Sequence, residues 1–211
     1  NVVWKKNIEE KILSQVFPID IYHDGSKQIL FNTSSKLFLL DSDGNNAGHY
    51  PIRLPAKATN GCSMIATSYG YNFYIACSNH YIYAYEAGGK PVADWNYLRT
   101  DKNVSKPIQV FTTAKNTYLV INEDSGTVVV TDKKGRQQIS MEGKFIQSLK
   151  GECFIYQNDS TGNVKWITTD TTGSLILFST DGNVSKVNPG NFSSGHRFYF
   201  NPSTGTADVG A

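Results

Sequence analysis

Residues able to do chemistry are thinly spread in this chain, and the densest of them are oxygen ligands and phenols rather than nucleophiles. In Asp41-Ser-Asp-Gly-Asn45 the side-chain oxygens alternate, as they do where a short loop wraps a calcium ion, so Asp41, Asp43 and Asn45 are metal candidates. A loop of the EF-hand kind closes with a glutamate at its twelfth position, where this chain has Ile52. An Asp-Gly turn with the backbone at positive φ accounts for the same residues and is the preferred reading. Tyr81, Tyr83 and Tyr85 alternate along one stretch, and Tyr69, Tyr71 and Tyr74 precede them. Tyrosine is an amphipathic anchor for a protein or carbohydrate partner, which makes these three the binding-surface candidates. An aromatic ladder also stabilises a sheet, and that structural role is preferred for them.

Other chemistry is missing its partners. His23, His49, His80 and His196 stand far apart at strand ends or turns, with no nameable base, acid or metal partner. Asp20, Asp94 and Asp170 lie on or beside strands and could converge on a central channel. The chain has no Gly-x-Ser-x-Gly, no His-Glu-x-x-His, no P-loop and no dinucleotide fingerprint. No catalytic residue and no cofactor is therefore expected, and the chain is expected not to be an enzyme. Cys62, Cys77 and Cys153 make an odd count without Cys-x-x-Cys spacing, so buried free thiols are expected, a Cys62–Cys77 bridge being the minority alternative.

Composition narrows the partners. Of 211 residues 20 are Lys or Arg and 18 Asp or Glu, a net charge of +2 that projects no strong field toward nucleic acid or anionic membrane. No apolar run approaches a membrane span, and the N-terminus lacks a signal-peptide pattern, so an exported protein would already have lost its signal. Charged residues are only 18% and Gly, Ser, Thr and Asn are abundant, a polar uncharged surface of the kind common in extracytoplasmic β proteins.

The elements that must position these residues recur. Gln28–Gly44, Asn72–Gly89, Thr117–Gly135 and Ser174–Gly190 each read as two strands with period-two alternation, closed by a turn. Another strand precedes each: Val16–Tyr22, Cys62–Thr67, Ile108–Thr113 and Val164–Thr169. A weaker one follows each: His49–Leu54, Val92–Leu98, Gln137–Met141 and His196–Phe200. A repeat of about 40–50 residues with four strands per unit is the mark of a β-propeller blade. The expectation is an all-β single segment with four-stranded antiparallel blades at about 15–54, 61–98, 107–141 and 163–200. The last closing glycine is then late, which implies an insertion at about 142–162. Val2-Val-Trp4 reads as an outer strand with no inner strands of its own, and Asn201–Ala211 is too rich in Gly, Pro and Ser for strands. The segment is thus expected to be part of a larger propeller, self-associating through open blade faces when alone. The polar, basic connection Thr100–Lys106 is one of the loops where binding would be sought.

The phrase Gln28-Ile-Leu-Phe-Asn-Thr with Leu37-Phe-Leu-Leu-Asp-Ser-Asp-Gly44, and the ending Glu86-Ala-Gly-Gly-Lys with Trp95, resemble the blades of PQQ-like, quinoprotein-type β-propellers. The wording is also similar to that of uncharacterised secreted Bacteroides-type propellers. Nothing matches the quinone's ligands or the family's vicinal cysteine pair, so the resemblance implies a non-catalytic scaffold member. The functional expectation is a periplasmic or extracellular binding or scaffold propeller for a protein or glycan. The alternative is a fragment of a propeller enzyme, quinone-dependent or glycan-active, whose site needs further blades.

Overall fold

A computed structural model describes residues 3–96, 99–141, 143–158, 164–188, 196–201 and 206–210, and these contain strands and turns but no helix. The chain forms two compact units, Asn1–Ile108 and Gln109–Ala211. In the first, β1 (Phe17–Ile19), β2 (Gln28–Asn32), β3 (Lys36–Leu40) and β4 (Ile52–Arg53) form one antiparallel sheet in chain order. A second sheet holds β5 (Ser63–Thr67), β6 (Gly70–Ala76) and β7 (Ile82–Glu86). In the second unit, β8 (Gln109–Thr112), β9 (Thr117–Asn122), β10 (Val128–Asp132) and β11 (Gln137–Ser140) form a third meander. A fourth meander contains β12 (Phe154–Asn158), β13 (Val164–Thr169), β14 (Leu175–Ser179) and β15 (Val184–Val187). A hairpin of β16 (Arg197–Asn201) and β17 (Thr206–Gly210) completes the unit.

The middle strands explain the packing. Successive strand residues point to opposite faces, and here both faces are apolar. Leu30, Leu37 and Leu39 enter a core with Phe73, Ile75, Cys62, Cys77 and Tyr85 of the second sheet. Their neighbours Phe31, Phe38 and Leu40 form a separate cluster on the other face, in which Phe31 and Phe38 stack with centroids 5.1 Å apart. The same alternation divides the fourth sheet. Trp166, Ile176 and Phe178 pack with Tyr118, Val120, Val128 and Val130 of the third, whereas Ile167, Leu175 and Leu177 face Phe198 and Phe200 of the hairpin.

On the first sheet's other face, side chains of an N-terminal strap supply cover. Trp4 and Ile8 pack on Phe31, Phe38 and Leu40. The Trp4 indole N–H donates to the Ser42 carbonyl (2.7 Å) and Lys6 Nζ to that of Gly44 (3.0 Å). Gly44 is where this close approach requires glycine: its φ is +80°, and a Cβ there would lie 2.8 Å from the indole ring. The Glu10 carboxylate accepts from the Ser34 hydroxyl (2.6 Å), the Ser35 N–H (3.0 Å) and the Ser35 hydroxyl. Trp4 is thus not on the outer strand expected of Val2-Val-Trp4. It belongs to a strap that runs over the sheet, because an apolar face needs side chains to cover it, not ladder bonds.

The fourth sheet also departs from the sequence reading. The turns that follow the third strand of each sheet share one backbone pattern, also found at Gly126 and Gly173 after second strands, in which the first residue's N–H reaches the fifth residue's carbonyl and a glycine N–H returns to the first. Their glycines are Gly44, Gly89, Gly135 and Gly182, at intervals of 45, 46 and 47 residues. Gly182, not Gly190, closes the fourth unit, so the insertion expected at 142–162 disappears. Phe154–Asn158 is instead the first strand of that sheet, paired with β13. The expected 163–200 blade began one strand late because Leu175-Ile-Leu-Phe imitates the second-strand phrase Ile29-Leu-Phe. His196–Phe200 is correspondingly not an outer strand: Arg197–Asn201 pairs with Thr206–Gly210, a segment the sequence reading had excluded from strands. In the second sheet an isolated bridge, Tyr85–Pro91, stands at the expected outer strand, and Tyr97 and Leu98 lie outside the described residues.

The Ser34 and Ser35 hydroxyls, donating to its ionised form, hold the Glu10 carboxyl at about 2 against an ordinary 4.5. A lowered folded value contributes stability above the ordinary value and loses it as pH falls through the folded one. Thermal melts across pH 4.5 to 2 should therefore fall more steeply for wild type than for Glu10→Gln. Parallel curves would show that this carboxylate does not hold the strap.

Candidate functional site

The polar side chains at the sheet ends are largely occupied with the frame. Asp41 Oδ1 accepts the N–H groups of Asp43 (3.0 Å) and Asn45 (2.8 Å). Asp132 does the same for Lys134 (2.9 Å) and Arg136 (3.0 Å). In the β13–β14 turn Asp170 Oδ1 takes Thr172 and Ser174, and its other oxygen takes Lys186 Nζ at 2.6 Å. Burial alone would raise the Asp170 carboxyl, but the bonds from Lys186, Thr172 and Ser174 outweigh it and hold it below the usual range. Asp20 likewise binds the N–H groups of Asp24 (3.3 Å) and Gly25 (3.0 Å).

The calcium candidates therefore sit on a turn that one of them caps through its own backbone. Among the described residues no three His, Cys, Asp or Glu side chains are grouped as metal ligands. Of the phenols, Tyr85 is buried in the first unit's core, and Tyr83 packs against that core while its hydroxyl accepts from Asn79 Nδ2 (2.8 Å). Tyr81 is 39% exposed, with its ring centroid 6.3 Å from that of Tyr83. The structure therefore separates the trio, leaving one of the three at the surface. Tyr69, in the β5–β6 turn, is far more exposed at 97%.

Cys62 and Cys77 lie unpaired in one core, and Cys153 is buried in the other unit. Burial pushes the Cys62 thiol up to about 11 and the Cys77 thiol up to about 12. The histidines do not converge: His23 and His49 are exposed, and His196 is buried in the second unit. His80 has φ 68°, and its N–H donates to Cys77 O as those of Gly126 and Gly173 do in the matching turns. It thus takes a glycine's place, in the left-handed region that histidine tolerates better than most residues. Asp94 also has positive φ, 59°.

Among the described residues lie three hollows of similar size. One, of about 270 Å³, lies between the strap and the first sheet and includes Lys6, Glu10 and Lys36. A second, of about 280 Å³, lies on the fourth sheet beside Tyr156, Lys165, Asp181 and Asn183. The third, of about 290 Å³, is built by the β8–β9 and β10–β11 turns. The register places them side by side: Thr112 pairs with Thr117 and Asp132 with Tyr118, so both turns leave the same end of the sheet. Lys115, Lys133, Lys134 and Arg136 line it, all exposed, with Asp132 the sole carboxylate of the lining. Arg136 bonds Asp132 Oδ2 through Nε and Nη2, both at 2.6 Å. This basic hollow is the candidate site. The sequence reading sought basic character at Thr100–Lys106 and passed over Asp132-Lys-Lys-Gly-Arg136 as a regular turn. The missed signal was three cations in four residues at a position where the matching turns of the other blades carry at most one, Lys90 of the second.

Neither a family model nor a curated protein matches the sequence. Solved structures do share the fold. BBS1N, crystallised in complex with ARL6DN, is 13% identical over 84% of this chain and 53% of its own, with TM-score 0.59. Dihydro-heme d1 dehydrogenase NirN, in complex with DHE, is 12% identical over 86% of this chain and 40% of its own, with TM-score 0.53. The V. cholerae biofilm matrix protein Bap1 is 14% identical over 84% of this chain and 29% of its own, with TM-score 0.52. The fold is that of a β-propeller. The chain spans about half or less of the length of these proteins. No described helix is long and apolar enough to cross a membrane.

Two measurements probe these placements. Tyr85→Ala should cost about 3–5 kcal/mol in denaturant unfolding, as for other large core aromatics, and Tyr81→Ala less than about 1 kcal/mol. Equal costs would show that the two share one environment. For the thiols, burial predicts very slow native alkylation and three labelled cysteines once the chain is unfolded without reductant. A single labelled cysteine would mean that two are bridged.

Proposed function

We propose that this chain is a non-enzymatic binding or scaffold segment of an extracytoplasmic β-propeller, holding a protein or glycan partner. The observation that carries this reading is the separation of frame from surface in the four matching turns. Their backbone bonds and glycine positions are the same, while their exposed residues differ. Asp41-Ser-Asp-Gly is acidic, Glu86-Ala-Gly-Gly singly charged, Asp132-Lys-Lys-Gly basic, and Ser179-Thr-Asp-Gly a hydroxyl-capped carboxylate. A rigid repeat presenting variable turns is how recognition surfaces are built on regular scaffolds. BBS1N, which shares the fold, is seen in complex with ARL6DN. The resemblance of the blade phrases to PQQ-like propellers and the low charged fraction, 18%, support the extracytoplasmic placement.

The second reading, a fragment of a propeller enzyme, is favoured by the likeness to the dehydrogenase NirN. Its site would need blades beyond this chain. Both readings meet one experiment, in which the purified protein is incubated with panels of glycans and candidate proteins while binding and product formation are followed together. Saturable binding without product supports the scaffold. Turnover of a quinone-linked alcohol, a glycan or a peptide, lost on substituting a nameable residue, would replace it with the enzyme.

A further inference from the structure

We infer that the hollow between the β8–β9 and β10–β11 turns binds an anionic polysaccharide, one bearing carboxylate or sulfate groups. This inference rests on the binding-scaffold reading and specifies its ligand class. Charge is the first ground. Among its described residues the lining has four cationic side chains and one carboxylate, a formal excess of three positive charges, whereas the whole chain carries a net +2. Positive charge is therefore gathered here and not spread evenly, and a concave site of one sign raises the local concentration of its counter-ion.

The frame makes that concentration durable. Asp132 spends Oδ1 on the N–H groups of Lys134 and Arg136, which keeps the basic turn in shape, and engages only Arg136 through its other oxygen. The facing turn is tied by Thr113, whose hydroxyl accepts the N–H groups of Lys115 (3.3 Å) and Asn116 (3.0 Å). Lys115 is thereby carried on one fixed turn, and Lys133, Lys134 and Arg136 on the other. The strands that launch the turns are about two strand spacings apart, roughly 10 Å, a reach that suits a short oligosaccharide with successive charges.

The rest of the lining selects among polyanions. Between the cations stand Asn116 and Thr117, which keep hydrogen-bonding capacity for sugar hydroxyls beyond their bonds to Tyr118 and Thr112, and Ala114 is the apolar side chain among the described residues of the lining. A peptide interface draws its affinity from aromatic or aliphatic anchors seated in apolar pockets, and none is among the described residues of this lining. A single-stranded nucleic acid calls for aromatic stacking platforms, also absent from the lining. A neutral sugar would want an aromatic face as well. An acidic saccharide needs only fixed cations and hydrogen-bonding groups, and both are in place.

The test is calorimetric titration of the purified chain with polygalacturonate, heparin, dextran, poly-glutamate and a mixed-sequence single-stranded DNA, at low and at physiological salt. The expected result is binding to polygalacturonate, heparin or both, weakened by salt as screened charges require, and none to dextran. Which one binds separates carboxylate from sulfate. Lys115→Glu and Lys134→Glu should each lower that affinity roughly tenfold, the size of one lost surface charge pair made repulsive, whereas Lys27→Glu, exposed in the β1–β2 turn of the first unit, should not. Unchanged melting temperatures keep the comparison sound. Equal or tighter binding of poly-glutamate or DNA would overturn the saccharide assignment. So would an absence of glycan binding, or reversals without effect. In those cases the scaffold reading stands if another partner binds without turnover, and falls if turnover is found.

Discussion

Everything in this chain follows from the double-sided burial of its middle strands. Leu30 and Phe31, or Leu37 and Phe38, are sequence neighbours that point to opposite faces, and both members of each pair are buried. Such a strand cannot rest on one core and turn its other side to water. Every sheet must be covered twice, so no single four-stranded meander is stable by itself. The fold is a chain of mutual coverings, and the elements that look irregular are those that supply a cover where no sheet does. In the first unit the strap with Trp4 and Ile8 plays that part for Phe31, Phe38 and Leu40. In the second the β16–β17 hairpin does so for Ile167, Leu175 and Leu177, through Phe198 and Phe200. Large aromatics do this economically, since each removes a large apolar area from water with few side-chain torsions to order.

Face-to-face packing sets how sheets stack, but the connections between them must also be held, and there buried amides act. Asn32 Oδ1 accepts the Cys62 N–H (2.8 Å) while its Nδ2 donates to Asn60 O (3.2 Å), tying the first sheet to the start of the second. Asn60 passes the link on, accepting from Ala76 N (3.0 Å) and donating to Lys106 O (2.9 Å). In the second unit Gln109 brackets Cys153, accepting from its N–H and donating to its carbonyl, both at 2.9 Å. Where the chain leaves one ladder for the next, backbone groups lose their strand partners inside the protein, and an unsatisfied one costs about 1–3 kcal/mol. An amide side chain offers donor and acceptor together, so one residue can satisfy both kinds of orphan.

These principles mark what was legible in the sequence. Period-two alternation with branched and aromatic residues is a local signal, and it located β2, β3, β6, β7, β9 and β10. It could not number them within a sheet, because second and third strands share composition when both are buried on both faces. That is why Leu175-Ile-Leu-Phe was taken for a second strand and the unit was displaced by one. Glycines with positive φ do not number the strands either, since Gly173 and Gly182 close successive turns of the fourth sheet with the same φ of 80° and the same backbone bonds; the 45-, 46- and 47-residue spacing that ends at Gly182 does. Trp4 and the Thr206–Gly210 strand were illegible for another reason. Both complete a cover or pair with a partner distant in sequence or poor in strand formers, and tertiary context decides such segments against propensity. The basic hollow was hidden in the same way: Lys115 and Lys134 are ordinary surface residues until the register of β8, β9 and β10 brings their turns together.

The division of labour within those turns also constrains how such a protein can change. In Asp132-Lys-Lys-Gly-Arg136 the first and fourth residues are committed, one to capping backbone N–H groups and the other to a φ of 77°. The second, third and fifth are exposed, and the fifth, Arg136, also bonds the Asp132 carboxylate through its guanidinium. In Asp41-Ser-Asp-Gly-Asn45 the first and fourth positions are held by the same kinds of residue, and the exposed positions read quite differently. Substitution at an exposed position therefore alters the charge and shape offered to a partner while leaving the buried faces of the sheet in place. Substitution at a committed position does the reverse, loosening the turn and thereby misplacing whatever its neighbours present. Recognition and stability are thus carried by different residues of one five-residue loop, and the burial that makes the sheets depend on one another leaves the surface of their turns free to vary.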